Sequence, residues 1–558
     1  MTDLAANKPK SIPFALEFDG TATPAKTALF LLVVLCWLLP GLVGHDPWKP
    51  QEAQNLGVVH AMLQSGDWLV PMLAGEPYLD KPPLYYWTAA IFAKIFTPVF
   101  QLHDGARLAS GFYMALAIFL ATLTGVKMFG PRFGRVTALI FIGSFGLLIT
   151  AHMLSAETAV VAAIALVVYG LGWVTKSPLI AGMLMGTGIG VAFLAKGSAS
   201  AIIALAMCMG PLVFKNWRTR DMVIAIGIAL VATLPWLIWW PLRFHAQSPR
   251  LFRDWLWLHD WADFSNIFSA ATLVGPSYYL SLLPWHAWPA LPLVVVAVWY
   301  GRKQMLRDEK VQLLVGALLG AFVVMCLTGE KRETNALPLL LPLSLICASR
   351  IDELRRGTAS ALDWFGMMTF GLLALGMWLG WVALLTGYPS EALKYLQTFL
   401  PNYRLEFRAV PFVLALILSV LWLISISRSR QSNRRAIVNW TAGITMFWML
   451  AMTLWLPFID EGKSYRTMVA SLKRALPNSQ DCVASRGLGE AQRAVLDYFV
   501  GLRTQRLERL ATNNCSFLLT QSTQRAPGVE DQTEWRLTWE GSRSGDNLEL
   551  FRLYQRLP

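Results

Sequence analysis

Charge is scarce in this chain. Only 15% of its 558 residues are Asp, Glu, Lys or Arg, against 55% hydrophobic residues. That balance excludes a soluble globular protein and fits a polytopic membrane protein. Cysteine is scarce too. The six cysteines include no CxxC motif and no metal-type pair, which removes a cysteine-built metal or redox centre. Cys36, Cys208, Cys326 and Cys347 lie in apolar runs and read as small core residues. No internal repeat or low-complexity tract is present. Acidic residues are outnumbered by basic ones, giving a net charge of +13. The basic excess sits in short loops between apolar runs, so it reads as topology charge rather than a nucleic-acid surface.

Apolar runs that could cross a bilayer fall near 27–44, 107–128, 136–152, 158–174, 179–195, 198–214, 222–242, 272–300, 311–329, 335–349, 361–386, 409–427 and 436–457. A span needs about 20 residues. The basic loops hold Arg132 and Arg135, Lys176, Lys215 with Arg218 and Arg220, Arg302 to Lys310, Arg350 with Arg355 and Arg356, and Arg428 to Arg435. Placing all of them in the cytoplasm, with Lys8, Lys10 and Lys26, gives about thirteen spans, N-terminus in and C-terminus out. The run 84–98 carries Lys94 and would invert every later loop if counted. It reads as an amphipathic helix lying in the outer interface. Residues 51–64 read as a second interfacial helix, preceded by Pro50 and stopped by Ser65-Gly66-Asp67. The first span reads as an uncleaved anchor, because Leu42-Val43-Gly44-His45 is a poor cleavage site.

The fold class is therefore mainly α. A tail, 1–26, precedes a membrane domain, 27–457, whose first outer loop is 45–106. From 458 to 558 charge, Asn, Gln and Ser rise, and a small α/β domain is expected outside. In it, 464–476 and 489–502 have helical spacing, and 481–485, 515–521, 535–540 and 548–555 read as strands. Cys482 and Cys515 should pair there in an oxidising compartment, closing a loop worth roughly 3 kcal/mol.

The segment 52–87 carries the most information. It follows an apolar span yet holds Glu52, His60, Asp67, Glu76, Asp80 and Lys81. The inferred topology brings further ionisable groups to the same face: Glu157, Lys196, Arg253, His259, Asp260, Asp263, Lys331 and Arg332. Such groups are costly at membrane depth and are functional candidates. Blander roles compete. Glu157 suits a helix N-terminus, Lys196 and Lys331 suit snorkelling anchors, and Asp80 and Lys81 could simply pair. Three lysines on the less basic face point to a shared anionic ligand. Cations near a bilayer surface suit a lipid phosphate, and nearby carboxylates suit a base that activates a hydroxyl. The outer face has no ATP, so energy must arrive on a lipid-carried group. A polyprenyl-phosphate sugar meets these needs, with Lys81, Lys196 and Lys331 stabilising the leaving phosphate. Asp80 and His259, with Glu52, are ligand types that could gather one divalent ion.

The same residues carry a resemblance. QEAQNLGVVHAMLQSGDWLVPMLAGEPYLDKPPLYYW resembles the first outer loop of the ArnT and protein-mannosyltransferase-like superfamily of GT-C glycosyltransferases. GVAFLAKG and EKRETNALPLLLP resemble two further family features. The resemblance implies a GT-C fold, a polyprenyl-phosphate sugar donor and inverting transfer at the periplasmic face of the bacterial inner membrane. It implies roles for Glu52, Asp80, Lys81, Glu157 and Lys196, and for Tyr86 of the KPP-x-x-YW step. The acceptor stays open: lipid A, as in aminoarabinose transfer, another glycolipid or glycan, or a protein. Gln51 stands where the first acid of the family's pair is usual, Asn335 where a Tyr is common, and Glu157 replaces an Asp. Gln51 leaves the base to Glu52 or Glu157, with Glu52 ranked first on the loop motif, and it also admits an inactive scaffold. Other readings are a flippase of polyprenyl-linked intermediates and an O-antigen ligase or polymerase. The flippase reading lacks inverted repeats and midplane charge.

Overall fold

The computed structural model describes residues 24–557 except 263–274, 306, 329–330, 402, 429–431, 477–481, 509–513, 524–533 and 547. Asp263 and the tail lysines Lys8 and Lys10 lie outside the described residues.

The apolar runs become helices because nothing within them satisfies backbone polar groups except the helix itself. Among the described residues, eight helices are long and apolar enough to cross a membrane, or up to ten if each of two bent pairs is one span. The bent pairs are Gly134–Ile142 with Phe145–His152, at 72°, and Gly275–His286 with Ala290–Gly301, at 99°. The three remaining runs of the expected thirteen form shorter apolar helices, Pro24–Leu38, Glu157–Leu171 and Ser198–Val213.

The basic loops gather at one end of the bundle. Arg135 donates to Thr27 Oγ1 at 2.8 Å. Arg434 pairs with Asp352 and donates to the Arg132 carbonyl at 3.2 Å. Arg350 pairs with Asp308 at 2.8 Å, and Trp217 Nε1 donates to the Glu309 carbonyl at 2.9 Å. The first loop and the turns carrying Glu157, Lys196 and Asn335 meet at the other end.

Helix α1 spans Pro24–Leu38, α2 Gln51–Ser65, α3 Leu84–Phe96 and α4 Leu102–Phe129. Gly66 ends α2 in the left-handed region, φ 73°, which glycine adopts without a Cβ clash. The outer half of α4 and α3 form an antiparallel hairpin. Tyr85 and Ser110 hydroxyls bond at 2.6 Å and those of Thr88 and Tyr113 at 2.8 Å, while Gly105 lies against Ala93. So α3, expected to lie flat in the interface, instead runs alongside α4, held there by its own hydroxyl bonds. Likewise α2 is not a surface helix. Gly57 meets Ala494 so closely that a Cβ would lie 2.6 Å from the Ala494 Cβ, and helix Glu490–Val500 covers it.

Strands β1 (Met72–Leu73) and β2 (Glu76–Pro77) make a ribbon in the first loop, and β3 (Val483–Arg486), β4 (Gln505–Arg506), β5 (Phe517–Ser522), β6 (Trp535–Gly541) and β7 (Leu550–Arg556) lie in the C-terminal part. The latter five form one sheet, ordered β4-β3-β5-β7-β6. The strand β3 pairs parallel with β4 and β5, and β7 pairs antiparallel with β5 and β6. Helices Arg466–Ala475 and Glu490–Val500 pack on it. The Cys482–Cys515 disulfide is present and joins the starts of β3 and β5.

Candidate active site

Two clusters of charge sit where the first loop meets the membrane helices. The first centres on Arg107, which opens the apolar run 107–128 and lies three residues after Asp104 on the same face of α4. Arg107 is fully buried. It donates to Glu52 Oε1 at 2.5 Å, Asp104 Oδ1 at 2.8 Å, and the Leu42 and His45 carbonyls at 3.2 Å each. Glu52, also fully buried, accepts in addition from the Leu154 N–H at 2.9 Å and the Trp48 N–H at 3.0 Å. Burial alone would raise the Glu52 carboxyl, but Arg107 and these donors hold it below the usual range. Both of its oxygens are in use, so Glu52 ties loop 42–48, α2, α4 and the turn before Glu157 together.

The second cluster starts at Glu157, the first residue of helix Glu157–Leu171. Lys196 Nζ lies 2.8 Å from each carboxylate oxygen and donates to Oε2. No donor among the described residues is aligned on Oε1, although that oxygen is buried. Lys196 also donates to Asn335 Oδ1 at 2.9 Å. The KG turn that presents Lys196 has a local cause. Gly197 has φ 99°, and a Cβ there would lie 2.3 Å from Asp260 Oδ1. Asp260 needs that approach, because its Oδ1 accepts from the Ser198 N–H at 2.8 Å and caps helix Ser198–Met209.

Above this cluster opens a polar cavity of 630 Å³. Lys81, Arg250 and Arg332 give it cations, and Asp80, Asp254 and Glu490 give it carboxylates. Gln51 and His259 also line it. Burial pushes the Lys81 ammonium down, while the charges of Glu157 and Asp80 pull it back up. Asp80 is exposed and accepts from the Tyr78 hydroxyl at 3.2 Å.

Of the residues expected from sequence, Asp80, Lys81, Arg332 and His259 meet in this cavity, with Glu157 and Lys196 in electrostatic range of Lys81. Others lie elsewhere. Lys331 Nζ donates to the Thr328 carbonyl and to the Cys326 carbonyl at 3.3 Å, closing the end of helix Glu309–Leu327 rather than facing the cavity. Arg253 is exposed and does not line the cavity; Arg250, three residues earlier, does. Tyr86 is fully buried and donates to Asn55 Oδ1 at 3.2 Å. Asp80 and His259 share a cavity wall, but no group of three His, Cys, Asp or Glu side chains among the described residues is arranged to hold a metal ion. The donor set there is thus incomplete. Arg107, Arg250 and Glu490 were not singled out from sequence. Arg107 had a readable signal, as an ionisable residue at the edge of an apolar run. Glu490 had none, since it comes from the C-terminal part.

Comparison with known proteins agrees with this architecture. A family model described as dolichyl-phosphate-mannose-protein mannosyltransferase matches residues 80–239. The undecaprenyl phosphate-alpha-4-amino-4-deoxy-L-arabinose arabinosyl transferase of Pseudomonas aeruginosa is 27% identical over 438 residues, covering 76% of this chain and 74% of the relative. The protein of the same name from Yersinia enterocolitica is 27% identical over 399 residues, covering 66% and 68%. Among solved structures, ArnT from Cupriavidus metallidurans bound to undecaprenyl phosphate matches with a TM-score of 0.67 at 14% identity, over 95% of this chain and 98% of that one. Its apo form gives 0.64 at 16% identity, over 94% and 97%. At such identities the structural likeness speaks for the fold.

Proposed function

We propose that this chain, a glycosyltransferase of the ArnT and protein-mannosyltransferase-like GT-C superfamily, transfers a sugar from a polyprenyl-phosphate donor, with inversion, to an acceptor at the periplasmic face of the inner membrane. Aminoarabinose transfer to lipid A is the specific form that the names of its relatives favour. The observation that carries the reading is the Lys81, Glu157, Lys196 and Asn335 cluster beneath a polar cavity of 630 Å³.

In this reading Lys81, Arg332 and Arg250 receive the donor phosphate. As the glycosidic bond breaks, negative charge grows on that phosphate, and fixed cations stabilise it most in the transition state. Asp80 faces the sugar and orients it. Glu157 is the base. Its Oε1 accepts no aligned hydrogen bond among the described residues, and Lys196, itself held by Asn335, keeps the carboxylate in place at 2.8 Å. Glu52 is the weaker alternative, because both its oxygens are already bonded inside the fold.

Glu157→Gln tests this directly. Loss of a general base costs about 10²–10⁴ in turnover. Turnover should fall by that factor with undecaprenyl phosphate binding retained, and Lys81→Ala should weaken that binding as well. Wild-type turnover in Glu157→Gln would return the role to Glu52.

A further inference from the structure

A second polar recess lies at the same end of the molecule and shares no lining residue with the reaction cavity. One part, of 390 Å³, is lined by Tyr403, Arg404, Glu406, Arg408, Asp460 and Glu461. An adjoining part, of 320 Å³, shares Gly44, Asp460 and Glu461 with it and reaches Asp46 and Arg466. Helix Ala409–Arg428 begins one residue after Arg408. Helix Leu456–Lys463, which carries Asp460 and Glu461, starts just after helix Asn433–Thr453 ends. Both of those preceding and following helices are candidate spans. The recess therefore sits at lipid-headgroup level, between the ends of two spans.

The segment that brings Arg404 and Arg408 to the recess has the composition of a membrane interface: Tyr395, Phe399 and Phe407 on it are 65%, 53% and 55% exposed. Arg404 and Arg408 are exposed and make no hydrogen bond or ion pair among the described residues. Below them, Asp460 accepts from Trp48 Nε1 at 2.9 Å and from the Asp46 N–H at 3.0 Å, both through Oδ1. Glu461 accepts from the Ser544 hydroxyl at 2.8 Å. Unpaired guanidiniums at a bilayer surface suit phosphate. Carboxylates with spare lone pairs suit hydroxyl or amine donors of a sugar. Trp48 forms the partition. Its ring bonds Asp460 on the recess side, its N–H bonds Glu52, and Gln51 beyond it lines the reaction cavity. Recess and cavity flank the same stretch, 48–52.

We propose that this recess binds the phosphorylated sugar headgroup of a membrane-anchored glycolipid, the acceptor of the transfer. The proposal rests on the glycosyltransferase reading above. Inversion brings the acceptor oxygen to the anomeric carbon opposite the leaving phosphate, so two lipid substrates need separate berths. The donor berth has Lys81, Arg250 and Arg332; the recess offers a second set of cations on the other flank of 48–52.

The test uses the full chain in phosphatidylcholine nanodiscs, with retention of lipid A, of phosphatidylglycerol and of undecaprenyl phosphate measured by native mass spectrometry. Arg404→Ala with Arg408→Ala should lower lipid A retention about tenfold or more, a loss of about 1.4 kcal/mol or more. It should leave phosphatidylglycerol and undecaprenyl phosphate retention unchanged. Arg404→Lys with Arg408→Lys should keep most of the lipid A. Unchanged lipid A retention, or an equal loss of phosphatidylglycerol, overturns the proposal. If the wild-type chain fails to hold undecaprenyl phosphate, the donor reading fails, and the lipid A arm still decides the recess.

Discussion

Arg107 and Glu52 show what one buried ion pair does when every atom is used. The guanidinium reaches four acceptors on three segments, and the carboxylate takes donors from three. Removing one partner leaves the other charged and dry, which costs far more than the pair contributes. Arg107→Ala should therefore destabilise the protein by about 3–5 kcal/mol, read as a lower thermal midpoint in detergent. Arg107→Met combined with Glu52→Leu should lose much less, and an equal loss in both would show that the pair is not the cause. Asp460 carries a second residue-scale expectation. Burial and the nearby Asp46 charge push its carboxyl up to about 6, against Trp48 and Asp46 N–H donors that pull it down. A raised acid loses stability as pH climbs, because the unfolded carboxyl ionises first, near its ordinary value of 3.8. Asp460→Asn keeps the Oδ1 acceptor and removes the charge. Its midpoint should match wild type near pH 4 and exceed it increasingly up to about pH 6; a gap that shrinks with rising pH would reject the assignment.

Elements were legible from sequence where the physics is local. Each apolar run became a helix, and Gly66 ended α2 where the Ser-Gly-Asp step indicated. The strands expected over 481–485, 515–521, 535–540 and 548–555 formed within a few residues, and Cys482 met Cys515. What failed needed partners from afar. The run 272–300 reads as one apolar stretch, yet bends by 99° around Trp288-Pro289. The hairpin of α3 and α4 depends on Tyr85 and Thr88 finding hydroxyls 25 residues on. Cover for α2 comes from a helix more than four hundred residues later, through Gly57 and Ala494. In the site, the KG turn was readable as a lysine at an odd place, but Asp260 as its cap was not. Lys331 looked like a phosphate ligand because periodicity cannot show that a helix end already holds it.

At the scale of the whole molecule, sidedness decides whether the site can meet a lipid-linked donor. The contacts that link Thr27 to Arg135, Arg132 to Arg434, Asp352 to Arg434 and Asp308 to Arg350 place the basic loops together at one end. The reaction cavity, the recess and the C-terminal sheet lie at the other. With α3 counted as lying beside the outer half of α4 and not as a span, parity from α1 to α4 agrees with the contacts that put Arg132 on the basic end. On the positive-inside rule this arrangement is expected to put the cavity in the periplasm, with thirteen spans and the C-terminus outside. Lys94 and Arg132 are both exposed side chains on opposite ends, so each reports one side. Lys94→Cys and Arg132→Cys, made in a chain whose four free cysteines have been replaced, separate the two. A membrane-impermeant maleimide added to spheroplasts should label the first and reach the second only after permeabilisation. Labelling at position 132 in intact spheroplasts would overturn this sidedness.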